Sequence, residues 1–88
     1  MTTNKPSSTR TSPDTSDRKA LAEQYLPYVR SIAGKIKKSV AKQIDFDDLV
    51  EYGMIGLLEA ADRYNPELGD NFMTFAYYRI RGAIYDGL

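Results

Sequence analysis

The sequence predicts an all-α fold: a small bundle of three helices, or four if Pro27 breaks the first. Three observations predict it. Apolar residues recur at steps of three and four through successive stretches, which is the helical period. Side chains suited to accepting a bond from a free amide at a helix N-terminus, Ser16 or Asp17 and then Asp45, precede the first two stretches. Asn65-Pro66 and the run Gly69, Asp70, Asn71 supply a stop and a turn before the third. A chain of 88 residues forms at most one small domain, and its small core leaves it marginally stable.

Residues 1–15 are mostly small and polar, cannot bury enough apolar surface to offset ordering, and are expected to form a disordered tail. The folded domain is expected over 16–88. In the first helix Leu21, Tyr25, Tyr28, Val29, Ile32, Ala33 and Ile36 keep the helical period. Pro27 lies inside that pattern; it removes a backbone donor and disfavours a helical residue before it, which predicts a kink near Leu26 or two helices joined there. Lys35, Lys37 and Lys38 suit a helix C-terminus.

The second helix is expected from Asp45, as N-cap, to about Tyr64, with Asp48 at the acid position of a capping box. The third begins near Asn71 to Thr74. Its spacing continues through Ile80, Ala83, Ile84 and Leu88 without a C-cap, which leads us to expect a fragment of a longer protein or a truncated gene product.

Composition narrows the chemistry. The sequence has no Cys, which removes disulfides and Cys-based metal or nucleophilic sites, and no His, the commonest general base and metal ligand. Asp47 and Asp48 are adjacent, hence about 100° apart on a helix, and are not an acid–base pair. Gly53 and Gly56 lie within a helix, so their amides are already bonded and cradle no phosphate. An enzyme is not expected, nor a cofactor or metal. No apolar run approaches the roughly 20 residues of a membrane helix, and the N-terminus lacks a signal-like apolar stretch. A soluble, cytoplasmic protein is the expectation.

The formal net charge of zero hides segregation. Arg18, Lys19, Arg30, Lys35, Lys37, Lys38 and Lys42 are opposed only by Glu23. Asp45, Asp47, Asp48, Glu51, Glu59, Asp62, Glu67 and Asp70 are opposed only by Arg63. Either the blocks address different partners, or they attract each other within the fold.

On a wheel of about 100° per residue, Phe46, Leu49, Val50, Gly53, Gly56, Leu57, Ala60, Ala61 and Tyr64 form the core face of the second helix. Two interior glycines cost about 1 kcal/mol each against Ala, and close approach of another helix is the expected compensation. The opposite face gathers Asp48, Glu51, Tyr52, Ile55, Glu59 and Asp62, with Met54 and Leu58 along its edge. An apolar centre with a charged rim is how protein interfaces are built; the plain alternative is a solvated face with stray apolar residues. A partner there should be basic, Arg above all, because guanidinium pairs carboxylate in bidentate fashion.

The third helix has Phe72, Phe75, Ala76, Ile80, Ala83 and Ile84 on its core stripe. Thr74, Tyr78, Arg81 and Tyr85 lie opposite, with Tyr77 near the border. Rings interleaved with guanidinium groups suit stacked bases and phosphates; alternatively, the face covers a neighbouring helix absent from this chain.

These residues carry a resemblance. The run DDLVEYGMIGLLEAADRYNPELGDNFMTFAYYRIRGAIYDGL, residues 47–88, resembles the most characteristic segment of housekeeping-type bacterial sigma factors. RIRGAI, residues 79–84, resembles the flagellar and sporulation-type branch, and LPYVRSIAGKI, residues 26–36, the preceding helix of the family. The resemblance spans residues 17–88 and implies an all-helical sigma factor domain 2, incomplete at its C-terminus. It implies docking on core RNA polymerase, at the clamp coiled coil of the largest subunit, through Asp48, Glu51, Tyr52, Met54, Ile55 and Leu58. It also implies a role in melting promoter DNA at the minus-ten element, holding unpaired non-template bases at Thr74, Phe75, Tyr77 and Tyr78, with Arg79 and Arg81 near phosphates. Phe75 also fits the core by angle. Vegetative members carry two adjacent Trp where this sequence has Tyr78 and Arg79, a departure that fits an alternative sigma factor and leaves the melting details open. The family's helix-turn-helix for the minus-thirty-five element is absent, so promoter-specific transcription by this chain alone is not expected. A truncated sigma acting as a decoy for polymerase or for an anti-sigma factor is the second reading.

Overall fold

A computed structural model describes residues 15–40 and 43–88. Three helices, α1 (Thr15–Lys37), α2 (Phe46–Arg63) and α3 (Phe72–Gly87), account for most of them, with one 3-10 turn at Pro66–Leu68. The all-α expectation holds. The tail expected over residues 1–15 lies outside the described residues, except that Thr15 already opens α1.

The alternative of two helices joined at Pro27 does not occur, and α1 is one helix through it. Proline removes the bond its own amide would give to the carbonyl four residues back, that of Glu23. Both Pro27 and Glu23 lie on the exposed side, where water replaces the lost donor. The following residues Val29, Ile32, Ala33 and Ile36 are buried and hold the second half of α1 on the core.

The boundaries of α2 and α3 follow side-chain chemistry. The Asp45 carboxylate accepts from the Asp47 amide at 3.0 Å, so the cap serves the second helical amide rather than the third, which a capping box would use. Arg63 ends α2. Asn65 then accepts from Glu67 N at 2.9 Å, and Gly69 takes φ 102°, a left-handed conformation that glycine adopts without steric cost. Asn71 caps α3 by accepting from Thr74 N at 2.8 Å. Between α1 and α2, Lys37 Nζ donates to the Ile44 carbonyl.

The core is a single apolar cluster. It comprises Val29, Ile32, Ala33 and Ile36 of α1, Leu49, Val50, Leu57 and Ala60 of α2, and Ala76, Ile80 and Ile84 of α3. Among the described residues no polar or charged side chain is buried. The two glycines of α2 set how closely the helices meet. A Cβ on Gly53 would lie 2.7 Å from Val29 Cγ1 and 3.2 Å from both Ile80 Cγ2 and Ile84 Cδ1, so all three helices converge there. A Cβ on Gly56 would lie 2.5 Å from the Arg79 carbonyl oxygen and 2.8 Å from Ile80 Cα. Here α2 rests on the backbone of α3. The expected compensation for two interior glycines is this approach.

An aromatic cluster fixes the start of α3. Phe72 packs edge-on against Tyr25 of α1 at 5.5 Å and Tyr64 at 5.3 Å, and Tyr64 meets Phe75 at 5.7 Å. The Tyr28 hydroxyl donates to the Met73 carbonyl at 3.1 Å. Burial, then the neighbouring Tyr77 and Tyr25, push the Tyr28 hydroxyl above the ordinary tyrosine pKa.

Candidate functional site

The face of α2 turned from the core carries acids around one apolar side chain. Ile55 is 55% exposed, and Asp48, Glu51 and Glu59 are exposed around it. Met54 and Leu58 are half-buried along the edge. Tyr52, expected to point outward, is half-buried as well; a Cβ on Gly87 would overlap its ring. Tyr52 therefore closes the last turn of α3 onto α2 while keeping part of its surface at this face. Neither a helix wheel nor its own neighbours in sequence show that contact.

The acidic and basic blocks meet at one point among the salt bridges of the described residues. Arg18 Nη1 lies 3.1 Å from Asp62 Oδ1, tying the start of α1 to the end of α2. Arg30 instead lies over the Phe46 ring at 5.1 Å. Mutual attraction of the two blocks thus accounts for Asp62 and leaves Asp48, Glu51 and Glu59 facing solvent.

On α3, Thr74, Tyr77, Tyr78, Arg81 and Tyr85 are exposed, while Phe75 and Arg79 are half-buried. Tyr78 is 66% exposed, and its ring meets that of Tyr77 edge-on at 5.2 Å. The Arg81 guanidinium lies over the Tyr85 ring at 5.0 Å and that of Arg79 over Phe75 at 5.6 Å. Phe75 packs against Tyr64 on one side and carries the Arg79 guanidinium on the other. Rings with open faces and held guanidinium groups can take flat aromatic groups and anions side by side.

The two faces, read separately from the sequence, meet in space. A cleft of about 550 Å³ runs between α2 and α3, with Tyr52, Ile55 and Glu59 on one side and Tyr78, Arg79, Gly82 and Asp86 on the other. The signal that could have found it is Gly82. It is an interior helix glycine, yet nothing lies within 4 Å of where its Cβ would be. Among the described residues no group of three or more metal-ligating side chains is gathered, and no helix is long and apolar enough to cross a membrane.

The sequence model of the family described as Sigma-70 region 2 matches residues 21–88, which include most of α1 and all of α2 and α3. The chain belongs to the sigma-70 region 2 family. As a sigma-70 region 2 chain it is similar to the RNA polymerase sigma factor FliA of Salmonella typhimurium, 42% identical over 72 residues, which is 82% of this chain and 30% of that protein. It is similar to the RNA polymerase sigma-D factor of Bacillus subtilis, 41% identical over 68 residues, 77% of this chain and 27% of that protein. FliA of Pseudomonas aeruginosa is 42% identical over 66 residues, 75% of this chain and 27% of that protein. These relatives support the flagellar-type branch that RIRGAI indicates. The chain spans less than a third of the length of the curated relatives it matches. No solved structure matches it.

Proposed function

We propose that this sigma-70 region 2 chain is a non-enzymatic transcription initiation module that docks on bacterial core RNA polymerase and carries part of the minus-ten promoter-melting surface. Docking uses Asp48, Glu51, Tyr52, Met54, Ile55 and Leu58 of α2 against the clamp coiled coil of the largest polymerase subunit. The DNA surface is Thr74, Phe75, Tyr77, Tyr78, Arg79 and Arg81 of α3, which engage unpaired non-template bases and their phosphates. The reading places the protein in the bacterial cytoplasm, where an anti-sigma factor would compete for the same faces.

The observation that carries the proposal is Ile55. A marginal domain that buries Leu49, Val50 and Leu57 of α2 leaves Ile55 of the same helix 55% exposed, with Asp48, Glu51 and Glu59 around it. An apolar centre with a charged rim fits a protein partner, and the rim fits a basic one.

The test is binding of the 88-residue chain to purified core polymerase beside its Glu51→Arg variant. Glu51 is exposed, so helix content should be unchanged. Reversing one charge of an interfacial pair should weaken binding roughly a hundred-fold or more. A well-folded chain that does not bind core polymerase, or a variant that binds equally well, refutes the docking face.

A further inference from the structure

The two halves of α1, before and after Pro27, are held differently. Every buried residue of the helix follows the proline: Val29, Ile32, Ala33 and Ile36. Residues 17–28 include none, and Leu21 and Tyr25 pack on the core only from its edge. The specific ties of the first half are peripheral. Tyr25 meets the Phe72 ring edge-on at 5.5 Å, and Arg18 Nη1 lies 3.1 Å from Asp62 Oδ1, with the two side chains 36% and 40% exposed. An ion pair so open to water contributes little and is screened by salt.

Pro27 is the second, independent observation. A helix is carried across any junction by bonds from each amide to the carbonyl four residues back, and the one from position 27 to Glu23 is missing. Proline also disfavours helical backbone at Leu26 before it. The helix is therefore weakest where its burial changes. Segments with few buried contacts open locally, and they do so as contiguous units.

We infer that residues 15–26 form a strap that hinges at Pro27, is latched to the end of α2 by the Arg18–Asp62 pair, and opens as one unit while the rest of the fold stays closed. Closed, it is the continuous helix described above. Opening takes Tyr25 off Phe72. The start of α3 stays in place, because Tyr64 still packs on Phe72 and the Tyr28 hydroxyl, beyond the hinge, still donates to the Met73 carbonyl. Salt is the trigger, since it weakens the latch and leaves the buried half untouched. Opening also frees Asp62, which lies about two helical turns beyond Ile55 on the same side of α2. A cationic partner seated on that face would compete with Arg18 for Asp62 and favour the open strap. That last consequence rests on the proposed function; the strap itself does not.

The experiment is native-state amide exchange, read by NMR on the isotopically labelled 88-residue chain. Amides of residues 19–26 should share one opening, roughly ten-fold or more favourable than that of Ile32, Ala33 and Ile36, with a step in protection at Pro27. A smooth gradient from Thr15 is ordinary end-fraying and overturns the strap, as does a single opening common to both halves. Raising salt from about 0.01 M to about 1 M shortens the screening length from about 30 Å to about 3 Å, and should open the strap several-fold further in the parent. Arg18→Ala should open it already at low salt and remove that response. The exchanged pair, Arg18→Asp with Asp62→Arg, should restore both the closure and the response. Pro27→Ala should erase the step by returning the missing bond, and it tests the hinge without touching the latch. A step that survives Pro27→Ala, or a salt response that survives Arg18→Ala, overturns the proposal. None of these arms contains polymerase, so failure of polymerase binding and failure of the strap are told apart.

Discussion

Replacing Gly56 by Ala tests how closely α2 and α3 cross. The new Cβ would stand 2.5 Å from the Arg79 carbonyl oxygen, 2.8 Å from Ile80 Cα and 2.9 Å from Ala83 Cβ. The first two are helix backbone and cannot rotate aside. Ordinary carbon contacts lie at about 3.5–4.0 Å, so the two helices must part by roughly 1 Å. Leu57, Ala60, Ile80 and Ile84, all fully buried, then lose contact together. Overpacking of this kind costs about 1–3 kcal/mol, and backbone overlap places it in the upper part of that range. Alanine returns up to about 1 kcal/mol of helix propensity. The net loss is about 1–2 kcal/mol. Gly82→Ala is the matched control: its Cβ meets nothing within 4 Å, so only the propensity gain remains, about 0.5–1 kcal/mol. Urea unfolding followed by circular dichroism reads both, with unchanged slopes showing that the same surface is exposed. In a domain of this size each kcal/mol moves Tm by about 4–8 °C. A Gly56→Ala chain as stable as its parent refutes the close crossing, and a Gly82→Ala chain that loses stability refutes the open cleft.

The remaining predictions address the other parts of the molecule. Tyr78→Ala should lower capture of non-template single strand by about 1–3 kcal/mol while sparing core polymerase binding in the same titration; equal loss of both makes Tyr78 structural. Asp45→Ala removes the side chain that accepts the Asp47 amide and should cost about 1 kcal/mol in urea unfolding, whereas Asp45→Asn should cost far less. Tyr28 is held neutral by burial first and by Tyr77 and Tyr25 next. A folded-state pKa above the unfolded one gives stability that is complete below the unfolded value, about 10, and lost as pH rises through the folded one. Thermal melts should show this alkaline loss in the parent and less of it in Tyr28→Phe.

The faces of single helices were legible in the sequence because each is a periodic one-dimensional pattern. Leu49, Val50, Gly53, Gly56, Leu57 and Ala60 fall on one side of the wheel and are buried. Ala76, Ile80 and Ile84 of the third pattern are buried too, and Asp45, Asn65, Gly69 and Asn71 end or begin elements as their chemistry suggests. What the sequence did not show depends on two helices at once. The Arg18–Asp62 bridge and the Tyr28–Met73 bond join residues more than forty positions apart, and nothing local marks them as partners. Tyr52 sits at an outward angle on its own helix, yet the end of α3 comes to lie on it. The alternative of a break at Pro27 failed for a related reason. Proline's local preference is real, but the apolar residues after it are held on the other two helices, and the unsatisfied carbonyl faces water.

The proposed function needs the α3 rings to be in place before a strand arrives, and the packing supplies that order at three levels. At its start α3 is held by Phe72 between Tyr25 and Tyr64 and by the Tyr28 hydroxyl on Met73. In its middle the backbone at Arg79 and Ile80 rests against Gly56, with no side chain between to give way. At its end Gly87 lies on the Tyr52 ring. Tyr77, Tyr78 and Arg81 project from a helix fixed at both ends and at its centre, so binding a base orders few groups beyond the rings themselves. Preorganisation of this kind raises affinity by lowering the entropy lost on association. The same rigidity makes α2 and α3 one body. A polymerase that seats on Glu51 and Ile55 thereby sets the position and tilt of Tyr78, and Arg79 is where the two meet: its carbonyl lies against α2, while its guanidinium stands over Phe75 at the edge of the stacking face.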